Sequence, residues 1–197
     1  MLMEASTARS LHDATDIAVH MLRPSVDLAQ HSHVVWSFLQ HADQEFVPPL
    51  SERTEDPVKL DHWSRAGSPI AFYDLVMSHH LLLATVDSEP AGLLSFRVNE
   101  HNSSLPEFSP CTYVLMTLVD PRFRRLGVAT RLNEFVETLP RRMASPWIAR
   151  RVWSTNYANI ALLQKRGFTE AVRIRNHRGA GVDTIYAVRR TNAELRN

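Results

Sequence analysis

The period of apolar positions along the chain changes several times, and each change marks an element. Ile17–Arg23 alternates loosely and stops at Pro24, the pattern of a first strand. From Val26 to Gln40 the apolar residues Leu28, Val34, Val35, Phe38 and Leu39 recur near helical spacing. Asp43 to Asp61 is acidic and broken by Pro48, Pro49 and Pro57; it reads as a loop leading into a short helix around Val58–Arg65. Ile70–Met77 predicts a further short helix. Leu81–Val86 and Ala91–Val98 are strand-like runs, and Asp87-Ser88-Glu89-Pro90 between them predicts a hairpin turn.

Asn99 to Pro110 is polar and reads as a loop. Thr112–Val119 is a continuous apolar strand ended by Asp120-Pro121. An amphipathic helix follows from about Gly127 to Met143, with Leu132, Phe135, Val136 and Leu139 as its stripe. Trp147–Ser154 predicts a strand, and Tyr157–Arg166 a helix closed by Gly167. Glu170–Arg175 and Val182–Arg189 predict two strands joined by a Gly179-Ala180-Gly181 turn. The order β-α-α-β-β-β-α-β-α-β-β mixes hairpins with crossovers. The fold class is therefore α/β (α+β), around one mixed sheet with flanking helices.

Length and composition limit what such a sheet can belong to. At 197 residues one domain is expected, over 17–190, with 1–16 as an N-terminal extension and 191–197 as a tail. A single cysteine, Cys111, excludes an intrachain disulfide and the multi-cysteine zinc spacings, and no metal is expected. No apolar run approaches the ~20 residues of a membrane helix. The N-terminus lacks the apolar core of a signal peptide, so a cytoplasmic location with no membrane partner is expected.

The formal net charge is +1, but the halves differ. The chain to Leu118 is predominantly acidic and the chain from Val119 predominantly basic. That asymmetry suggests that the second half handles an anion. Arg141-Arg142 and Arg150-Arg151 lack the interleaved aromatics of a nucleic-acid surface, and no nucleic acid is expected.

The stretch from Val119 to Thr130 is the best candidate for that anion. An apolar strand ends, a Pro-started turn follows, and a helix begins at a glycine flanked by small residues. A helix N-terminus offers unpaired N–H groups and a partial positive charge. Gly127 and Ala129 allow close backbone approach, and Arg124 and Arg125 add charge, so the segment reads as a pyrophosphate cradle. It is neither a P-loop, which needs a lysine here, nor a Rossmann loop, which needs three spaced glycines.

At this point the chain resembles the GCN5-related N-acetyltransferases. Arg124-Arg125-Leu126-Gly127-Val128-Ala129 is similar to that family's Gln/Arg-x-x-Gly-x-Gly/Ala motif, and Val119-Asp120-Pro121 to its usual strand end. Asn156 to Phe168 resembles its second signature, in which an asparagine opens a helix that ends in Gly-Phe. The resemblance spans roughly Ile17 to Arg189.

It implies an acyl-CoA N-acyltransferase fold with splayed central strands. It also implies an N-acetyltransferase taking acetyl-CoA as co-substrate, with direct attack by an amine acceptor in a ternary complex. Backbone groups of Arg125, Leu126, Gly127, Val128, Ala129 and Thr130 would hold the CoA pyrophosphate, with Arg124 closing the loop. Thr117, Leu118 and Val119 would pair with the pantetheine arm. The amide of Leu118 or Val119 would polarise the thioester carbonyl, and Asn156 and Asn159 would contact the arm. Asn156 also has the ordinary role of a helix N-cap.

The family's usual general-acid tyrosine would fall at Leu163, so it is missing here. Glu107, in the loop before the central strand, is the nearest candidate base; Glu100 and His101 are equal candidates, and Asp183 could reach the acceptor site or cap a turn. The acidic Asp43–Asp61 segment hints at a cationic amine acceptor. A homodimer is compatible with the fold. The alternative reading is a weak or inactive acyl-CoA-binding sensor of the same fold.

Overall fold

The computed structural model describes residues 16–23, 26–52, 69–140, 143 and 145–191. The short helix expected around Val58–Arg65 lies outside the described residues. The elements run β1 (Ile17–Leu22), α1 (Asp27–Ala42), α2 (Ile70–Met77), β2 (His80–Val86), β3 (Glu89–Glu100) and β4 (Cys111–Val119). They continue α3 (Val128–Glu137), β5 (Trp147–Trp153), α4 (Tyr157–Lys165), β6 (Thr169–Ile174) and β7 (Thr184–Arg190). This is the order expected from the hydrophobic pattern. The seven strands form one sheet in the order β1-β2-β3-β4-β5-β7-β6. Only β4 and β5 pair in parallel, joined by the crossover through α3.

The continuous apolar runs are explained by two covered faces, because successive strand residues point to opposite sides. Leu81, Leu83, Leu93, Tyr113 and Leu115 pack with Val35, Leu39, Phe72 and Val76 of α1 and α2. Leu82, Leu94, Phe96, Val114 and Ile148 pack on the other side with Val128, Leu132 and Val136 of α3 and Leu163 of α4. Gly92 lets α3 approach the sheet. A Cβ there would lie 2.7 Å from Val128 Cγ1 and 3.0 Å from the Leu118 carbonyl oxygen.

Three boundaries differ from the sequence expectation. The hairpin turn is only Asp87-Ser88, both at positive φ, the geometry that matches strand twist in a two-residue connection. Glu89 and Pro90 belong to β3, and the register shift between Ala84 and Thr85 accommodates the proline, which has no N–H to give the ladder. Helix α3 stops at Glu137 rather than near Met143, because Pro140 disfavours helical backbone at the residue before it. The β6–β7 connection spans 175–183 and is tied by Asp183. Its carboxylate accepts from the Asn176 N–H at 3.0 Å and from Arg173 Nη1 at 3.0 Å. Asp183 thus ties this turn.

Candidate active site

The central feature is a wedge between β4 and β5. Their pairing runs from Cys111↔Trp147 to Val114↔Arg150 and ends there. On the other edge of β4, Ser95 pairs with Met116 and Phe96 with Val114, so Leu115 is an extra residue in the ladder. Such a bulge bends a strand and increases its twist. Beyond it, Leu115 to Val119 diverge from β5, and backbone groups of β4 face a gap instead of a neighbour. A cleft of about 720 Å³ fills that gap.

At the open end of the wedge the chain turns sharply. The Asp120 side chain accepts from the Arg122 N–H at 2.9 Å, which starts a short 3-10 turn over Pro121–Phe123. Arg125 and Gly127 then take positive φ, 67° and 95°, and α3 begins at Val128. Around Gly127 there is open space. A Cβ would meet nothing nearer than Ile17 Cδ1 at 3.9 Å. The first amides of α3 are therefore reachable from the cleft, as an anion cradle requires.

Arg124 Nε donates to the Val119 carbonyl at 3.2 Å. Its Nη2 donates to both Glu45 carboxylate oxygens, at 2.6 and 2.7 Å. Arg125 makes no ion pair among the described residues.

Of the residues singled out from the sequence, Thr117, Leu118, Val119, Arg124, Arg125, Gly127, Val128, Ala129, Thr130, Asn156 and Asn159 all line this cleft. Leu126 does not; its side chain is exposed on the outside of the loop. Asn156 caps α4, its Oδ1 accepting from the Asn159 N–H at 3.2 Å. Helix α4 closes with Gly167 at φ 79° and a Phe168 N–H donated to the Leu163 carbonyl at 3.0 Å.

Glu107 does not line the cleft. It is exposed in a 3-10 turn before the start of β4, and the cleft opens beyond the other half of that strand. Leu163, where the tyrosine would stand, is buried among α3 and sheet residues, while its neighbour Leu162 faces the cleft.

Sequence reasoning missed the wall that α1 and the turn after it provide, apart from Glu45, which belongs to the acidic Asp43–Asp61 segment. Phe38, His41, Ala42, Glu45 and Phe46 line the cleft opposite β4 and β5. His41 Nδ1 lies 2.7 Å from the Ser37 carbonyl oxygen. A carbonyl only accepts, so Nδ1 carries the proton in the neutral ring and Nε2 keeps its lone pair. Glu45 was signalled by the acidic Asp43–Asp61 segment; His41 carried no such signal. Asp43 is structural: it accepts from the Ser51 N–H at 2.7 Å and hydroxyl at 2.8 Å. Phe46 and Trp153 pack at a tilt, ring centroids 5.6 Å apart, and both line the cleft. Behind Trp153 the buried Arg178 guanidinium lies 5.5 Å from the ring and donates to the Val47 carbonyl at 2.5 Å. Burial holds Arg178 down to about 9.

Among the described residues no group of three or more His, Cys, Asp or Glu is placed to hold a metal ion. No helix among them is long and apolar enough to cross a membrane.

The sheet is seven-stranded and mixed, and it opens between its parallel central pair. Solved structures share it. An N-acetyltransferase from Staphylococcus aureus Mu50 matches with a TM-score of 0.60 at 12% identity, over 90% of this chain and 100% of the other. The ribosomal-protein-S18-alanine N-acetyltransferase from Escherichia coli matches at 0.58 and 18% identity, over 89% and 94%. A Salmonella typhimurium protein solved with its cofactor acetyl-CoA matches at 0.59 and 14%, over 89% and 94%.

The model of the acetyltransferase (GNAT) family matches residues 36–168, and the chain belongs to that family. No curated protein matches the chain.

Proposed function

We propose that the protein transfers an acyl group, acetyl in the simplest case, from acyl-CoA to a primary amine by direct attack in a ternary complex. The observation that carries this reading is the wedge that starts at Val114↔Arg150 and opens onto the cradle at Arg124–Thr130. The donor supplies an activated thioester whose thiolate is a tolerable leaving group.

The amides of the Arg125–Thr130 turn and of the α3 N-terminus bind the pyrophosphate, and Arg124 adds charge. Thr117, Leu118 and Val119 offer backbone groups to the pantetheine arm. The Leu118 or Val119 amide polarises the thioester carbonyl as negative charge develops on its oxygen. Asn156 and Asn159 line the path of the arm. The acceptor enters from the α1 side, past Phe38, Phe46 and Trp153. His41 Nε2 takes the proton of the acceptor ammonium, and Glu45 offers the negative charge that favours a cationic amine. No side chain acts as a covalent nucleophile.

The test is a thermal melt with acetyl-CoA, free CoA and ATP, followed by a thiol-release assay over a panel of amines. At a hundredfold its dissociation constant a ligand adds about 2.7 kcal/mol of stability, a clear shift in midpoint. A shift with the CoA compounds alone, then thiol release with an amine, is the expected result. Absence of any shift up to millimolar acetyl-CoA overturns the donor assignment. Binding without turnover for any amine replaces the enzyme by a CoA sensor, the reading that the missing tyrosine favours.

A further inference from the structure

The three arginines of the turn before α3 are in different states. Arg122 does not line the cleft; it is held by Asp120 and Glu89, each at 3.1 Å. Arg125 lines the cleft and has no ion-pair partner among the described residues. Arg124 lines the cleft as well, but its charge is already taken by Glu45. A carboxylate therefore sits on a cation at the edge of the proposed anion cradle, and Gly127 to Thr130 line the same cleft just ahead in the chain.

Both partners are held in place from behind. Glu45 ends the 3-10 turn after α1, and Asp43 of that turn is fixed to the Ser51 N–H and hydroxyl at 2.7 and 2.8 Å. Arg124 is tethered by its own Nε, which donates to the Val119 carbonyl at 3.2 Å. The meeting of the two side chains is thus set by the backbone on each side.

The pair is also built to be exchanged. A single nitrogen, Nη2, serves both Glu45 oxygens, at 2.6 and 2.7 Å. A guanidinium holds an anion best through two parallel N–H bonds from two nitrogens. Nη1 has no hydrogen-bond partner among the described residues. The two side chains are 46% and 50% exposed, so water screens their attraction. A pyrophosphate in the cradle carries more negative charge than a carboxylate and offers oxygens to both nitrogens.

We propose that Glu45 is a built-in competitor of the donor. Its carboxylate occupies Arg124 in the free protein, the pyrophosphate of acyl-CoA displaces it, and the strength of the pair sets the affinity for the donor. The inference rests on the acyl-CoA reading above and adds a control on that same site. Displacement frees the Glu45 charge for the amine of the proposed reaction.

The experiment measures dissociation constants of CoA and 3′-dephospho-CoA by calorimetry on the full chain. The proteins are the wild type, Glu45→Gln, Arg124→Gln and the double variant. Glu45→Gln should tighten both compounds about two- to fivefold, the range of an exposed ion pair. In the Arg124→Gln background the same change should leave both constants where they were. Unchanged or weaker binding by Glu45→Gln overturns the proposal. An equal gain in both backgrounds also overturns it, since Glu45 then acts as a charge near the ligand and not through Arg124. A gain with CoA that vanishes with 3′-dephospho-CoA overturns it too, because Arg124 then serves the 3′-phosphate instead of the pyrophosphate. Binding of neither compound to any of these proteins overturns the acyl-CoA reading itself, and this proposal with it.

Discussion

Arg124 and Glu45 stand 79 residues apart in sequence, yet their side chains meet at 2.6 Å across the mouth of the cleft. One belongs to the turn before α3, the other to the turn after α1, so the pair joins two walls of the cleft. Both side chains are about half exposed, which limits the pair's contribution to stability. Glu45→Gln should change stability by less than ~1 kcal/mol, as a melt would show. Arg124→Ala should instead raise the dissociation constant of acetyl-CoA about tenfold, because a charge-assisted contact to pyrophosphate is lost.

His41→Ala should lower kcat/KM for the acceptor by about 10²–10⁴-fold if its Nε2 is the proton acceptor. An unchanged kcat/KM would return the base role to solvent.

Two glycine-to-alanine changes should act by different routes. Gly92→Ala drives a Cβ into Val128 and the Leu118 carbonyl, and should cost ~1–3 kcal/mol through displaced packing. Gly127→Ala has room for its methyl group, but its φ of 95° is unfavourable for any L side chain, at ~1–2 kcal/mol. Denaturant melts give both values. Only Gly127→Ala should also weaken CoA binding, since relief of the strain moves the cradle amides.

The His79 imidazole is buried between β2 and β3, 2.9 Å from the Ser95 hydroxyl, and burial holds it down to about 4. The unfolded chain protonates this group first as pH falls from its ordinary value of 6.5. Its contribution to stability is therefore complete above pH 6.5 and is lost between 6.5 and 4, with a slope of up to about 1.4 kcal/mol per pH unit. Urea melts across that window should show the slope in the wild type and a shallower one in His79→Gln.

Cys111 is fully buried, and burial pushes its thiol up to about 12. The thiolate is the reactive form. Iodoacetamide should leave the folded protein unlabelled at neutral pH and label it once in denaturant. Labelling of the native chain at the rate of a free thiol would contradict the burial.

Much of this architecture was legible along the chain. The run Leu81-Leu82-Leu83 announced a strand covered on both faces, and the Val119–Thr130 segment announced a strand, a turn and a helix N-terminus. Asn156 and Gly167 marked both ends of α4, and the structure shows the cap and the left-handed glycine there. Local chemistry decides those features, and neighbours in sequence suffice to show them. Pro140, which shortens α3, was equally visible but was outweighed by the apolar stripe that continued to Leu139.

The rest depended on contacts between distant segments. Glu107 was nearest in sequence to β4, yet chain proximity placed it before the strand and outside the cleft that the other half of the strand forms. His41 and Glu45 reach the site only because α1 packs across the sheet from β4. Arg150 reads as a basic residue in a strand; its burial beside Asn133 and Phe168 exists only when α3, α4 and β5 come together. The sequence by itself determined the elements, the cradle and the helix caps, which are governed by periodicity and by backbone chemistry within a few residues. The tertiary structure alone decided the wedge and the side chains that face it, because a bulge at Leu115 parts two strands and the walls of the gap come from elements far apart in the chain.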